Sequence, residues 1–282
     1  MLSGIYPKHS NKCDIAFDSS EEVKVTDPSI SGAFVLIVVC SENKIIGSGS
    51  GFIADKNRGL IITAAHVIFN FTKGDNFGEE LGDTIIIGVM PNPGDQVIFR
   101  YIAQISDLYP DLTVDACVLK IWWKLETDIN DQNDICSVHK KPRTLLFGKK
   151  SAYRKEKLTQ LSLNENYEVE QQIRIVGFAQ STHNVKEGSW LFNNLSCARG
   201  SVRARWINPE RPDLRNEFFC YEEMVVSCYT ICGESGGPCI NQQGQVIGIL
   251  SRGIDADLTS YIAPTGRWMH ILQQGKECKI VL

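Results

Sequence analysis

Residues 233–238 read Gly-Glu-Ser-Gly-Gly-Pro, within the run TICGESGGPCINQQGQVIGILSRG that covers residues 230–253. A serine hydroxyl is a poor nucleophile at neutral pH, so chemistry at Ser235 needs a base beside it and donors for the oxyanion its attack creates. The glycines suit that task. Gly233 lets the chain turn without a Cβ, so that its own N–H and that of Ser235 can converge, and Gly236 and Gly237 let neighbouring chain approach closely. Taken alone, the hexapeptide also reads as a flexible turn between strands. Two stretches upstream supply what it lacks. Residues 60–67, LIITAAHV, are an apolar run closing on two alanines and His66, and they follow the glycine-spaced strand GSGSGFI of residues 47–53. Residues 115–121, DACVLKI, place an acid at the opening of an apolar strand.

These three stretches resemble the signatures around the histidine, aspartate and serine of the trypsin-like (chymotrypsin-fold) serine peptidases. The chain order His, Asp, Ser is also that family's, whereas other triad-bearing folds order the same residues differently. The resemblance covers residues 33 to 275, and the long interval from Asp115 to Ser235 implies a lengthened second half. It implies an all-β fold of two six-stranded antiparallel β-barrel lobes with a short C-terminal helix, and the activity of a serine endopeptidase with a polypeptide substrate.

By that resemblance Ser235 is the nucleophile, His66 the general base and acid, and Asp115 the group that fixes the His66 tautomer. Asp115 is preferred to Asp107 and Asp111 because it directly opens the apolar strand. The N–H groups of Gly233 and Ser235 would form the oxyanion hole. Residues Ser251, Arg252 and Gly253 match the strand edge that pairs with an extended peptide, and Ser251 also sits where the family sets a hydroxyl against the triad acid. The specificity pocket would be built on Tyr229, with Thr230 beside it. This departs from the acid of trypsin-type enzymes, so cleavage after Arg or Lys is not expected. A pocket narrowed by Tyr229 suits small or medium apolar side chains, while Thr230 and Arg252 leave an acidic preference open. Glu234 stands where secreted members carry the aspartate that pairs with a newly cut N-terminus, and no Ile-Val-Gly-Gly-like sequence precedes the first strand. In this the chain resembles HtrA-like and viral members, without room for a PDZ domain after the closing helix. Two rival readings keep the fold but change the role: a catalytically silent peptide-binding scaffold, and an esterase on the same three residues.

The chain has 282 residues, 43% hydrophobic and 22% charged, with a formal net charge of −4. That length supports a full core, and the composition is ordinary for a globular protein. The charge gives no reason to expect nucleic acid, and the basic cluster at 149–157 (KKSAYRKEK) reads as a solvated connection. No run reaches membrane-span length; residues 33–40, AFVLIVVC, are strand-sized. The first residues lack the features of a secretory signal, so an intracellular location is expected. The cystine that brackets the histidine in secreted members is missing, since Ser48 and Val67 occupy its two positions. Of the ten cysteines, Cys117 and Cys239 look like small buried hydrophobes. Cys228-x3-Cys232 resembles half a zinc site without a second pair nearby, so neither metal nor cofactor is expected.

Residues 1–30 show no periodicity and are expected to form an extension, loosely packed or disordered, that is also a candidate regulator of access. Residues 31–123 are expected to form the first barrel, with strands at 33–40, 45–54, 60–63, 84–89, 97–105 and 116–122, each bounded by Gly, Pro, Asn or Asp. A polar connection is expected at 124–145. The second barrel, 146–282, would use strands at 172–178, 196–204, 223–228, 238–240, 245–251 and 260–263. An inserted loop is expected near 205–220, and an amphipathic helix near 266–275 that places Trp268, Ile271 and Leu272 on one face.

Overall fold

In the computed structural model the described residues are 27–41, 44–70, 78–92, 95–106, 114–129, 135, 143–145, 158–181, 191–207, 222–254 and 258–277. The first barrel comprises β1 (Phe34–Ser41), β2 (Lys44–Asp55), β3 (Leu60–Thr63), β4 (Thr84–Val89), β5 (Ile98–Ile105) and β6 (Cys117–Ile129), all antiparallel in the order β3-β2-β1-β4-β5-β6. β3 also pairs with β6, from Leu60 opposite Lys120 to Thr63 opposite Cys117, which closes the ring. The second barrel is closed by β8 (Gln172–Ser181), β9 (Leu191–Ile207), β10 (Glu222–Val226), β11 (Pro238–Asn241), β12 (Val246–Ile254) and β13 (Thr259–Pro264), in the order β10-β13-β12-β11-β8-β9. The two rings are the expected all-β architecture.

β1 shows why the barrels stay together. Its residues are buried on both faces, and they alternate between two apolar clusters. Val35, Ile37 and Val39 join a cluster confined to the first barrel, whereas Phe34, Leu36 and Val38 join one that continues through Val176, Phe178 and Ile249 of the second. Residues 158–164 stitch the barrels further: Leu161 N–H donates to Ile53 O at 3.0 Å, and Val246 N–H donates to Ser162 O at 2.8 Å. The C-terminal helix α2 (Thr265–Glu277) closes this seam. Trp268 is fully buried, edge-on to Phe52 of the first barrel, and its Nε1 donates to Ala263 O at 3.1 Å.

Three boundaries differ from expectation. β6 runs to Ile129, and β7 (Arg143–Leu145) pairs with it, so both ends of the stretch expected as a connection are strand. Leu125 and Ile129 are buried while Glu126, Thr127 and Asp128 face solvent, a pattern in which charged residues disguise a half-buried strand. Trp206 belongs to β9 rather than to a loop, packed against Tyr261 with ring centroids 5.7 Å apart. Pro28–Ser31 form one helical turn, α1, ahead of the first barrel. Residues 1–26 of the expected N-terminal extension, and residues 208–220 of the expected insertion, lie outside the described residues. No helix among the described residues is long and apolar enough to cross a membrane.

Candidate active site

His66 sits in a short 3-10 helix, Ala65–Val67, directly after β3. Asp115 sits just before β6, whose first residue pairs with the last of β3, so strand register brings acid and histidine together. Asp115 adopts φ 51°, a left-handed conformation that Asp tolerates better than most residues. From that kink it docks on the helix three times. Its carbonyl accepts from Ala65 N–H at 3.1 Å, Oδ1 accepts from His66 N–H at 2.9 Å, and Oδ2 accepts from His66 Nδ1 at 2.8 Å. A carboxylate can only accept, so the ring proton lies on Nδ1 and leaves Nε2 as the basic atom. The histidine side chain remains 30% exposed while that of Asp115 is 2% exposed. Burial works against the imidazolium, yet the charge of Asp115 and its hydrogen bond outweigh this and hold the His66 pKa above the ordinary value of 6.5.

The second barrel contributes a third donor to the same carboxylate. β12 is irregular between Leu250 and Arg252 where it pairs with β13, and the residue between them, Ser251, donates through Oγ to Asp115 Oδ2 at 2.6 Å. The family resemblance had assigned Ser251 to this place. Beyond the irregularity one edge of β12 carries no strand among the described residues. β11 pairs only with Val246–Ile249, and Leu250 is taken by the Gly236–Gly237 turn. Ser251, Arg252 and Gly253 follow that turn along β12, beside the serine loop and past the residues that β11 pairs.

That loop is two overlapping turns. Glu234 N–H donates to Ile231 O at 3.2 Å with Gly233 at φ 94°, and Gly237 N–H donates to Glu234 O at 2.9 Å with Gly236 at φ 81°. A positive φ at the third residue is the type II signature and selects glycine at both positions. Gly236 is constrained twice over, because a Cβ there would lie 2.2 Å from Thr63 Oγ1 and 2.7 Å from Ala64 N. The residue after Ser235 thus rests on the chain that leads into His66. Glu234 is 2% exposed. It turns its carboxylate back onto its own loop, accepting from Ile231 N–H at 2.8 Å and from Ser196 Oγ of β9. Burial pushes its pKa up, and the two hydrogen bonds oppose that rise.

Thr230 and Tyr229 differ in their surroundings. Thr230 Oγ1 is bonded to Ser260 Oγ at 2.8 Å, and a Cβ on Gly253 would lie 2.6 Å from it, so the threonine stands against Gly253 of β12. Tyr229 is half-buried. Arg252 does not present an unmatched charge. Its guanidinium grips the buried Glu223 with both Nη atoms, one at 2.8 Å, and lies 4.0 Å above the Tyr261 ring. The acidic preference that rested on Arg252 loses that support. Glu223, Ser196, Ser260 and Ser50 shape the site without any local sequence signature.

Among the described residues, Cys40, Cys117, Cys197, Cys228, Cys232 and Cys239 are in no disulfide. Cys117 and Cys239 are fully buried, as expected of small hydrophobes, and burial raises both thiol pKa values. No group of three His, Cys, Asp or Glu side chains that could hold a metal occurs among the described residues.

Two closed six-stranded barrels with a histidine-aspartate pair and a serine turn at their seam define a class, the double-barrel serine peptidases. Residues 49–249 match the trypsin-like peptidase domain, and the chain belongs to that family. The serine endoprotease from Yersinia pestis superposes with a TM-score of 0.51 at 16% identity, over 87% of this chain and 63% of that one. The Rv3671c protease from M. tuberculosis in its active form gives 0.52 at 17% identity, over 88% and 84% of the two chains. An inactive form of the same protein also gives 0.52 at 17% identity, over 89% and 93%. At these identities the likeness is one of fold, and equal scores for both forms carry no statement of activity. No curated protein matches the sequence.

Proposed function

We propose that the chain is a serine endopeptidase acting on extended polypeptide. The observation that carries this reading is the Asp115 carboxylate, which accepts from both the Nδ1 and the backbone N–H of His66 and so leaves Nε2 as the proton acceptor. In the proposed reaction Ser235 Oγ bonds to the scissile carbonyl carbon as its proton passes to His66 Nε2. The carbonyl π-electrons move to oxygen, and the N–H groups of Gly233 and Ser235 stabilise the charge. The tetrahedral species collapses as His66 returns the proton to the leaving amine, giving an acyl-enzyme. Water, deprotonated by His66, then releases the acid and restores Ser235. The substrate backbone adds as a strand alongside Ser251–Gly253 of β12. Thr230, standing against Gly253, favours a small uncharged side chain at the cleaved position.

The test is intact mass after incubation with a fluorophosphonate, run on the wild type, Ser235→Ala and His66→Ala, followed by a peptide library. One adduct on the wild type alone, with cleavage after small residues, is expected. A folded wild type that takes no adduct and cleaves nothing supports a silent scaffold. Ester turnover without amide turnover supports an esterase.

A further inference from the structure

We infer that Ser50 is a positioning residue of the oxyanion site: a hydroxyl of the first barrel that sets the peptide between the two donor N–H groups of the second. The inference rests on the peptidase reading, in which Gly233 and Ser235 supply those donors.

Ser50 lies in β2, in the run Gly47-Ser48-Gly49-Ser50-Gly51. The glycines beside it let β2 run hard against its neighbours. A Cβ on Gly49 would lie 2.6 Å from Val67 Cγ2 and 3.0 Å from Ser235 O, and one on Gly51 would lie 2.7 Å from Ile62 O. Ser50 itself is 1% exposed, and every polar atom it has is engaged across this packing. Its N–H donates to Ser235 O at 2.7 Å, and its carbonyl accepts from Thr63 Oγ1 at 2.8 Å. Its Oγ donates to Gly233 O at 2.8 Å and accepts from Phe178 N–H at 2.7 Å. The hydroxyl has one proton and its orientation is forced, because a backbone N–H can only donate and a carbonyl can only accept.

The consequence falls on one peptide group. Gly233 C=O and Glu234 N–H are its two ends, and it sits between the peptide that carries the Gly233 N–H and the peptide that carries the Ser235 N–H. Ser50 Oγ holds its oxygen, and Ile231 O holds its N–H at 3.2 Å. Ser50 N–H then holds the next carbonyl but one, that of Ser235. A single first-barrel residue thus fixes carbonyls on both sides of Glu234, and with them the direction of both donors. Rotation of the neighbouring Cys232–Gly233 peptide would exchange the type II turn for type I and reverse the Gly233 N–H. A buried hydroxyl that pins the adjoining carbonyl opposes that exchange.

The experiment compares Ser50→Ala, Ser50→Thr and, as a same-strand control, Ser48→Ala. It measures kcat per active site titrated by fluorophosphonate, KM for an amide substrate, and affinity for a peptidyl boronate that needs the oxyanion donors. Ser50→Ala is expected to lower kcat by roughly 10- to 100-fold, short of the 10²–10³ typical when a donor is deleted outright. Boronate affinity should fall in parallel with KM little changed, Ser50→Thr should recover most of kcat, and Ser48→Ala should match the wild type. A Ser50→Ala protein with wild-type kcat per titrated site overturns the proposal, whether or not less of it folds. A fall in KM-dependent binding alone also overturns it. A wild type that neither turns over nor takes an adduct overturns the peptidase reading as well, which separates the two failures.

Discussion

Replacing Asp115 by asparagine tests the hydrogen-bond logic of the site, because the structure dictates which way the amide must face. Oδ1 receives a backbone N–H that can only donate, so the amide oxygen must take that position. The NH2 group then occupies the Oδ2 position, opposite His66 Nδ1 and Ser251 Oγ. Ser251 can rotate its hydroxyl and accept. His66 accepts at Nδ1 only by moving its proton to Nε2, the atom that must be free to act as a base. Populating the reactive tautomer instead sacrifices one hydrogen bond and sets two donors face to face, each on the order of 1–3 kcal/mol. Together these come to roughly 2–6 kcal/mol, or about 30-fold to somewhat over 10⁴-fold in rate at 1.36 kcal/mol per decade. The upper end agrees with the ~10⁴ typical of this change in a serine triad. The same substitution removes the charge and hydrogen bond that raise the His66 pKa and leaves the opposing burial. Activity that requires neutral His66 falls as pH drops through that pKa, so the acid limb of kcat/KM should move to lower pH in Asp115→Asn. The assay is a pH series of amide hydrolysis, with circular dichroism to verify folding. A folded variant within tenfold of the wild type at neutral pH, or an acid limb that stays put, refutes the argument.

Two further outcomes concern the serine loop. Gly236→Ala should lose roughly 2–5 kcal/mol of stability in urea unfolding, from about 1–2 for a left-handed residue with a Cβ and about 1–3 for overpacking, since that Cβ would meet Ser50 O at 2.4 Å. A loss within ~0.5 kcal/mol, the range of an ordinary surface change, would show that the barrels do not meet there. Glu234→Gln should gain stability relative to the wild type as pH rises. Burial raises the Glu234 pKa, so the folded chain holds that proton more tightly than the unfolded one, and stability present below the ordinary carboxylate range is lost as pH rises through the folded value. Glutamine can still accept from Ile231 N–H and carries no charge. Urea unfolding from mildly acidic to mildly alkaline pH checks this, and a variant that loses more stability than the wild type over that range rules it out.

The residues that carry the proposed chemistry were legible because the backbone around them demands particular types. Gly233 and Gly236 stand three apart because two type II turns overlap there, so the serine loop is visible in six letters. His66 and Asp115 are marked by the apolar strands whose ends they occupy. Strands bounded by Gly, Pro, Asn or Asp were legible for the same local reason. The end of β6 past Trp122 is hidden in the sequence because Lys124, Glu126 and Asp128 mask the buried Leu125 and Ile129, and Asp128 is held by Arg100 of the neighbouring β5 rather than by anything near it in sequence. Positioning groups were hidden by the same non-locality. Ser50 meets Gly233 across 183 residues and Phe178 across 128, Ser196 meets Glu234 across 38, and Glu223 meets Arg252 across 29. None of these contacts constrains its own neighbours in sequence, so a serine among glycines looks like spacing. Barrel closure creates their roles: only when β3 meets β6 and the serine loop lies on β2 does a hydroxyl at Ser50 face a carbonyl that needs it. A change at Ser235 itself should therefore act mainly on chemistry, while a change at Ser50 acts on chemistry through the seam between the barrels.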